Sequence, residues 1–325
     1  MGDNRTVKYT TSMVRCFKQC RKKYFLEYVE NLKPIATPQA LHLGTLYHRG
    51  LELLLCGMAL PDIKLELEAD QYQHCVDMAV DYDPIPSGIA FEMVKSFHRE
   101  SGYQQWKIVN VEKQFEVSTG YGKRLIGKID AIMEKDGGHF LIEHKTTACW
   151  ASDGAEYLHN LLWDEQSTNY LYAHRKMLED RTIYGEEVKG IFYCIVEKPT
   201  IRPLLATPIE KRRYKQDGTI YGNQREEDET PEEYLTRVAA WYAEKPRVHL
   251  HFVYRTPKEI DAQVADLNLV FRDMAECEKN ETYYRNPQAC SILDCPYRPK
   301  CLEDKPDTDI LFVKKAARNE ELNNA

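Results

Sequence analysis

Asp130, Glu143 and Lys145 are the residues whose types and spacing could act on a phosphate ester. Two carboxylates that lie close together repel each other unless a cation lies between them. Oxygen ligands of this kind favour Mg²⁺ or Mn²⁺. A neighbouring lysine can neutralise the charge that develops on a phosphate during hydrolysis. The three residues therefore indicate a divalent-metal site for phosphodiester cleavage, provided that the fold brings them together.

The surrounding residues predict a β-hairpin that would do this. β-forming residues fill 125–133 and 139–147, and the Lys-Asp-Gly-Gly segment between them is typical of a turn. In the simplest register Asp130 lies opposite Glu143, with Cβ atoms about 4.5–5.5 Å apart. Strand alternation then places Lys145 on the same face as Glu143. The alternative is a surface hairpin that carries a cross-strand charge cluster and no metal.

Apolar periodicity predicts the elements that surround this hairpin. Thr10, Thr11 or Ser12 is the candidate N-cap of the first helix, and Asp164 is the candidate N-cap of a later one. Polar residues over 199–232 predict an extended loop or a flexible hairpin. The predicted helices cover 10–30, 38–58, 61–80, 87–101, 164–180, 231–244 and 256–280, and the other predicted strands cover 106–118, 189–197 and 249–254.

Composition indicates a globular protein. The 325 residues are 43% hydrophobic and 29% charged, with a net charge of −7 that does not favour broad nonspecific nucleic-acid binding. A local basic groove would still suffice. Arg15–Lys23 and Lys211–Lys215 are basic clusters, although such clusters are more often solvated surfaces than DNA contacts. No apolar run reaches about 18 residues, and the N-terminus has no apolar signal region. We therefore expect a cytoplasmic protein that does not bind membranes.

The chain contains ten cysteines, which is many for a cytoplasmic protein. A disulfide framework is not expected in that compartment. Cys290, Cys295 and Cys301 lie in a proline-punctuated segment with C-x4-C-x5-C spacing, which indicates metal ligands. A tetrahedral zinc or an iron–sulfur cluster needs a fourth thiolate, which must come from elsewhere in the chain.

Four short motifs in order carry a family resemblance. They are G-x-x-x-H at 44–48, G-x-x-D at 127–130, E-x-K at 143–145 and Q-x-x-x-Y at 166–170. With them the sequence resembles the RecB-like branch of the PD-(D/E)XK nuclease superfamily, which includes recombination helicase–nuclease domains and CRISPR-associated adaptation exonucleases. The resemblance implies an α/β fold with a restriction-endonuclease-like core: a mixed central sheet flanked by helices, a helical N-terminal elaboration and a C-terminal cluster-binding segment.

The resemblance also implies roles for individual residues. His48, Asp130 and Glu143 would hold Mg²⁺ or Mn²⁺, together with the backbone carbonyl of His144, whose side chain is expected to point to the opposite face of the sheet. Lys145 would orient or activate the attacking water and stabilise developing charge. Gln166 and Tyr170 would contact the DNA backbone or buttress the site.

Many members of this branch hold a [4Fe–4S] cluster with one N-terminal and three C-terminal cysteines. The pattern S-x-V-x-x-F-x-x-C over 12–20 selects Cys20, with Cys16 as the other candidate, and the three C-terminal ligands would be Cys290, Cys295 and Cys301. The gap of four residues after Cys290 departs from the two-residue gap that is common. Zinc is the alternative occupant. Such a site would tie the two ends of the chain together.

The resemblance implies a metal-dependent deoxyribonuclease, an exonuclease on single-stranded DNA or DNA ends in replication, repair or recombination, with a protein partner from one of these processes. The alternative is a DNA-binding or structural subunit of a recombination complex that does not cut. No G-x-x-x-x-G-K-[ST] loop occurs, so ATP use is not expected. We expect one domain over 1–313, with its core at about 105–200, and a tail over 314–325.

Overall fold

The computed structural model describes residues 8–35, 39–120, 122–148, 150–183, 185–222, 224–292, 295–303 and 306–315. These residues form strands and helices in an α/β arrangement. The strands are β1 (Lys8–Tyr9), β2 (Leu32–Pro34), β3 (Lys107–Gly120), β4 (Lys123–Lys135), β5 (Gly138–Thr147), β6 (Val188–Glu197), β7 (Val248–Val253) and β8 (Phe312–Lys314). The helices are α1 (Thr11–Gln19), α2 (Arg21–Tyr24), α3 (Gln39–Leu55), α4 (Leu60–Asp77), α5 (Ile85–Glu100), α6 (Trp150–Leu161), α7 (Glu165–Glu179), α8 (Pro231–Glu244), α9 (Pro257–Asn280), α10 (Pro287–Ile292) and α11 (Arg298–Glu303).

The central sheet is mixed, as predicted. β3 and β4 pair antiparallel, β4 and β5 antiparallel, β5 and β6 parallel, and β6 and β7 antiparallel. The short β1 joins β4 in parallel, and β2 pairs with β8 in a separate two-stranded sheet. The β4–β5 hairpin has the predicted two-residue turn, in which Asp136 and Gly137 have φ values of 51° and 71°. Two positive φ angles give the twist that a tight hairpin requires.

The helices begin where their capping residues predict. Thr10 accepts a hydrogen bond from the backbone N–H of Met13, and Asp164 accepts one from Gln166 at 2.9 Å. α8 and α9 each begin with a capping box, formed by Thr230 and Thr256 with glutamates three residues later, and each has proline at its first position. Local sequence therefore fixes these helix starts before any tertiary contact is considered.

Two buried apolar clusters lie on the two faces of the sheet. In β5, Leu141 belongs to the cluster that contains residues of α1, α7 and α9, whereas Ile142 belongs to the cluster of α3, α4, α5 and α8. This alternation is the expected result of strand geometry. A third, small cluster joins the chain ends and contains Leu26, Tyr297, Cys301 and Phe312.

One predicted helix is wrong in its extent. Residues 10–30 do not form a single helix, because Cys20 is extended (φ −161°, ψ 115°) and separates α1 from α2, which continues as a π-helix over Phe25–Val29. Asn286 explains the break. Its side-chain amide donates to the carbonyl of Gln19 at 2.8 Å, and its backbone N–H donates to Cys20 Sγ at 3.4 Å. A residue from the other end of the chain thus occupies the carbonyl of Gln19, while the backbone N–H of Cys20 still donates to the carbonyl of Cys16 at 2.9 Å.

Other elements differ less from prediction. α6, α10, α11 and the short strands β1, β2 and β8 were not predicted, and α10 and α11 lie in the proline-punctuated segment for which a loop was expected. The described residues of 199–230 are mostly irregular, apart from a 3₁₀ turn at Ile209–Lys211 and an antiparallel bridge between Tyr214 and Ile220. The single domain over 1–313 stays a prediction. β8 extends one residue into the predicted tail, and 316–325 lie outside the described residues. Within the described part of the chain, no helix is long and apolar enough to cross a membrane.

Candidate active site

β4 has an unusual pair of neighbours on one edge. β3 occupies its other edge along nearly the whole strand, so β1 and β5 must share the remaining one. β1 pairs with Arg124 and Leu125, and β5 pairs from Ala131 onward. Among the described residues no strand pairs with this edge between Leu125 and Ala131, and Asp130 is the last residue of the gap. The fork between β1 and β5 therefore lies at the predicted site.

The predicted hairpin register is confirmed up to this fork. The β4–β5 ladder runs from Lys135–Gly138 to Ala131–Ile142, so Asp130 and Glu143 occupy the next cross-strand position, where the ladder ends. Asp130 Oδ2 instead accepts a hydrogen bond from the backbone N–H of His144 at 2.9 Å. A backbone partner thus fixes one carboxylate oxygen at the place where the strands separate.

Both carboxyl groups lie in surroundings that oppose their ionisation. Burial raises the pKa of Asp130 to about 7 and that of Glu143 to about 7. Glu143 Oε1 accepts a hydrogen bond from Lys145 Nζ at 2.7 Å. Its other oxygen, Oε2, is buried and has no hydrogen-bond partner among the described residues. A buried carboxylate oxygen without a partner is costly, so this oxygen is well suited to bind a cation.

Lys145 lies at the centre of a polar network. Its ammonium group is 2.7 Å from Glu143 Oε1, 3.3 Å from Asp164 Oδ2 and 3.4 Å from the Gln166 side-chain oxygen. Burial by itself would lower the pKa of Lys145, but attraction to the two carboxylates outweighs it and raises the pKa above its ordinary value. Lys145 is therefore a permanently charged group directed at the site.

Gln166 and Tyr170 extend this network along α7. The Gln166 amide donates to the Tyr170 hydroxyl at 2.8 Å, and the Tyr170 ring packs edge-on against Phe115 at 5.7 Å. Tyr170 is only 8% exposed. Of the two roles predicted for this pair, the burial of Tyr170 favours buttressing of the site over contact with the DNA backbone.

His48 reaches the site from α3. Its Nδ1 lies 3.7 Å from Asp130 Oδ2, and 39% of its side chain is exposed. Desolvation by the surrounding protein lowers the pKa of His48, against the opposing effect of Glu143 and Glu112. A neutral imidazole has a free lone pair, which is the form that binds metal ions.

The His144 ring faces away from Lys145. It packs edge-on against Phe97 at 5.4 Å and His48 at 6.2 Å, and both of its ring nitrogens are buried with no hydrogen-bond partner among the residues that the structure describes. Burial lowers the pKa of His144 well below its ordinary value. The ring is therefore uncharged and packs between the sheet and the helices on this face. The metal-binding role predicted for the backbone carbonyl of His144 stays a prediction.

Glu112 was not predicted as a site residue. Its neighbours Val111 and Lys113 pair with Ala131 and Ile129, so Glu112 lies opposite Asp130 on β3. Its φ of 51° is in the left-handed region, which is strained for a residue with a side chain. Burial raises the pKa of Glu112, although Lys128 pairs with it at 2.6 Å. An antiparallel pairing of the predicted strands 106–118 and 125–133 would have placed Glu112 opposite Asp130.

The donor set suits a divalent cation, but the ligands do not converge. Asp130, Glu143 and His48 offer carboxylate oxygens and a neutral nitrogen, and Glu143 Oε2 lacks a partner. Among the described residues, however, no group of three or more His, Cys, Asp or Glu side chains has metal-binding geometry. One oxygen of each carboxylate accepts a hydrogen bond, from the backbone N–H of His144 at Asp130 and from Lys145 at Glu143.

The predicted cysteines gather at the chain ends. Cys20, Cys290 and Cys295 line one cavity of about 30 Å³, and Cys301 is buried in the adjoining apolar cluster. Cys16 points elsewhere, and its thiol contacts Glu27 Oε2 at 3.7 Å. The structure therefore places Cys20, rather than Cys16, beside two of the three C-terminal cysteines. Thiols are the right donor type for an iron–sulfur cluster or zinc, although among the described residues the cysteines are not in ligand geometry either.

Comparison with known proteins identifies the class of this chain. Residues 8–302 match the family model of the PD-(D/E)XK nuclease superfamily, and the chain belongs to that superfamily. A crystal structure from Eubacterium rectale, named "Putative exonuclease", is similar in fold. It has a TM-score of 0.50 and 13% sequence identity, over 94% of this chain and 93% of that chain. No curated protein matches the sequence.

These comparisons confirm the predicted restriction-endonuclease-like fold, with a mixed central sheet flanked by helices. Membership of the superfamily supports nuclease activity, and its nucleases generally use divalent metals. The placement in the RecB-like branch, the identity of the metal and the presence of an iron–sulfur cluster stay predictions.

Proposed function

We propose that this protein is a Mg²⁺- or Mn²⁺-dependent deoxyribonuclease of the RecB-like branch. It would remove nucleotides from single-stranded DNA or DNA ends during replication, repair or recombination, together with a protein partner from such a process. One observation carries the proposal: Lys145 pairs with one oxygen of Glu143, while the other oxygen is buried and has no partner in the described part of the chain. The nine free cysteines of the described residues fit a reducing compartment such as the cytoplasm.

The residues of the site would divide the work. Asp130, Glu143 and His48, with the backbone carbonyl of His144, would hold the metal. A bound divalent ion lowers the pKa of water and neutralises phosphate charge. Lys145 is fixed by Glu143 and Asp164, so its charge is in place before the transition state forms and needs no reorganisation. Gln166 would hold the Lys145 ammonium in position, and Tyr170 would hold Gln166.

An assay on labelled DNA tests this function. The purified protein should shorten end-labelled single-stranded DNA when Mg²⁺ or Mn²⁺ is present, and should not do so in EDTA. A circular single-stranded DNA of the same sequence should remain intact. Cleavage of the circle would contradict exonuclease action, and DNA binding without cleavage of either substrate would support the alternative of a non-cutting subunit.

We further propose that Cys20, Cys290, Cys295 and Cys301 hold a [4Fe–4S] cluster. Three of these residues line the same cavity, and Cys301 adjoins it. The cluster would serve as a structural tie between the chain ends, because binding energy at such a site adds to folding energy. No redox step is assigned to it.

Replacing Cys20 with alanine should remove iron from protein prepared without oxygen and should lower its melting temperature. The wild-type protein should be brown and carry about four irons per chain. Cys16→Ala should keep its iron, and so should the exposed control Cys56→Ala. Iron analysis and thermal denaturation measure both effects. A colourless wild-type protein with stoichiometric zinc would replace the cluster with zinc, and iron retention by Cys20→Ala would remove Cys20 from the ligand set.

A further inference from the structure

A surface groove opens beside Lys145, on the side of the site that faces α1 and α6. Its volume is about 560 Å³. Lys145 forms part of its wall, so the groove is continuous with the candidate active site. We call it the Trp163 groove. Its lining includes Arg15, Lys18, Tyr157, Trp163 and Asp164.

Trp163 is the most unusual residue of this groove. It is 75% exposed, whereas Trp106 is buried and Trp150 and Trp241 are partly buried. An exposed indole loses the apolar burial that usually stabilises this side chain. Isolated exposed apolar residues are common, but this one lines the same groove as Lys145, whose side chain is 21% exposed. Its position therefore points to a ligand with an aromatic or apolar face.

Hydrogen bonds fix the backbone around Trp163, whereas its ring is exposed to solvent. The Arg255 guanidinium donates to the carbonyl of Leu161 at 3.1 Å and to that of Leu162 at 2.5 Å. The backbone N–H of Trp163 donates to the carbonyl of Asn160 at 3.0 Å, and α7 begins two residues later. A flat ring on a fixed turn needs little ordering when a ligand stacks on it.

Two cations of α1 also line the groove. Arg15 and Lys18 lie one turn apart, with side chains 52% and 44% exposed. Arg15 lies 3.8 Å from Asp164, and Lys18 pairs with Glu165, and both of these acids line the groove as well. Ion pairs whose cation is about half exposed contribute little to stability. A phosphate can therefore compete with the two acids for these cations, and the groove combines an aromatic face with two sites for anionic groups.

We propose that the Trp163 groove binds one strand of DNA, with a base stacked on Trp163 and backbone phosphates at Arg15 and Lys18, and delivers that strand to Lys145. The proposal deepens the function proposed above and rests on it. Proteins that bind single-stranded DNA without sequence preference combine stacking of bases on aromatic side chains with contacts to the phosphates. Bases inside a duplex are already stacked on each other, so the groove should select single-stranded DNA or a frayed end.

Binding measured in EDTA separates this proposal from catalysis. Fluorescence anisotropy would compare a labelled oligothymidylate with an abasic oligonucleotide of equal length, on the wild-type protein, Trp163→Ala and Trp163→Phe. Trp163→Ala should weaken oligothymidylate binding about tenfold, Trp163→Phe should recover most of the affinity, and the abasic strand should bind the wild type and Trp163→Ala equally. Tyr72→Ala, which removes an aromatic side chain that is 60% exposed on α4, should bind as the wild type does.

Two outcomes would overturn the groove proposal: unchanged oligothymidylate affinity in Trp163→Ala, or an equal loss of affinity for both oligonucleotides. Cleavage by the wild-type protein with Mn²⁺ is scored separately. A protein that cuts DNA but does not need Trp163 refutes the groove alone. A protein that needs Trp163 for binding but cuts no DNA refutes the nuclease function alone.

Discussion

Replacing Lys145 with alanine should reduce DNA hydrolysis by at least about 10²–10³-fold, the usual cost of removing one preorganised group that stabilises transition-state charge. Lys145 is held by Glu143, Asp164 and Gln166, and its raised pKa keeps it charged throughout the pH range in which proteins are assayed. Initial rates on end-labelled single-stranded DNA at saturating Mn²⁺ measure the effect.

The matched control is Lys107→Ala. Lys107 also pairs with a glutamate, Glu134 at 2.6 Å, but its side chain is 74% exposed. This variant should cut at the wild-type rate, because an exposed ion pair contributes little and lies outside the site. An unchanged rate in Lys145→Ala would show that the proposed mechanism is wrong. Melting curves of both variants show whether any loss of activity comes from unfolding.

Replacing Asp130 with asparagine should abolish cleavage and at the same time stabilise the metal-free protein at pH 8. The pKa of Asp130 rises from an ordinary value of about 4 to about 7 on folding, chiefly through burial. The folded state therefore binds more protons than the unfolded state between these values, so stability falls as pH rises from about 4 to about 7. Above pH 7 the whole cost is present, on the order of a few kcal/mol.

An asparagine carries no charge and can still accept the hydrogen bond from His144. The gain in melting temperature in EDTA should therefore be several degrees at pH 8 and should vanish near pH 4. Adding Mg²⁺ or Mn²⁺ should stabilise the wild-type protein and leave Asp130→Asn unchanged. Asp261→Asn, which changes a carboxylate that is 65% exposed, is the control and should shift neither quantity. No gain in Asp130→Asn at pH 8 would mean that Asp130 carries no such cost.

The sequence predicted those parts of the site that depend on neighbouring residues. The Asp136-Gly137 turn fixes the hairpin register, and register alone places Asp130 next to Glu143. Asp164 caps α7, and this cap sets the position of Gln166 relative to Lys145. Such features arise from contacts over a few residues, which propensity and alternation describe well.

The features that the sequence did not predict depend on contacts between distant residues or on a strained backbone conformation. The break at Cys20 is made by Asn286, which no local pattern can indicate. Glu112 adopts a left-handed conformation inside a strand, against its own preference. Trp163 follows α6, a helix that was not predicted, so the groove beside Lys145 could not be inferred from the sequence.

The ties between the two chain ends have a consequence for the order of events during synthesis. β2 pairs with β8, and α1 packs against α9, so both contacts join residues that leave the ribosome far apart in time. Contacts between residues distant in sequence carry the larger closure entropy and form late. α1 also supplies Arg15 and Lys18 to the groove beside Lys145. We therefore expect the β4–β5 hairpin to form in the nascent chain well before the groove that binds a DNA strand is complete. Translation itself would then delay the moment at which the protein can act on DNA.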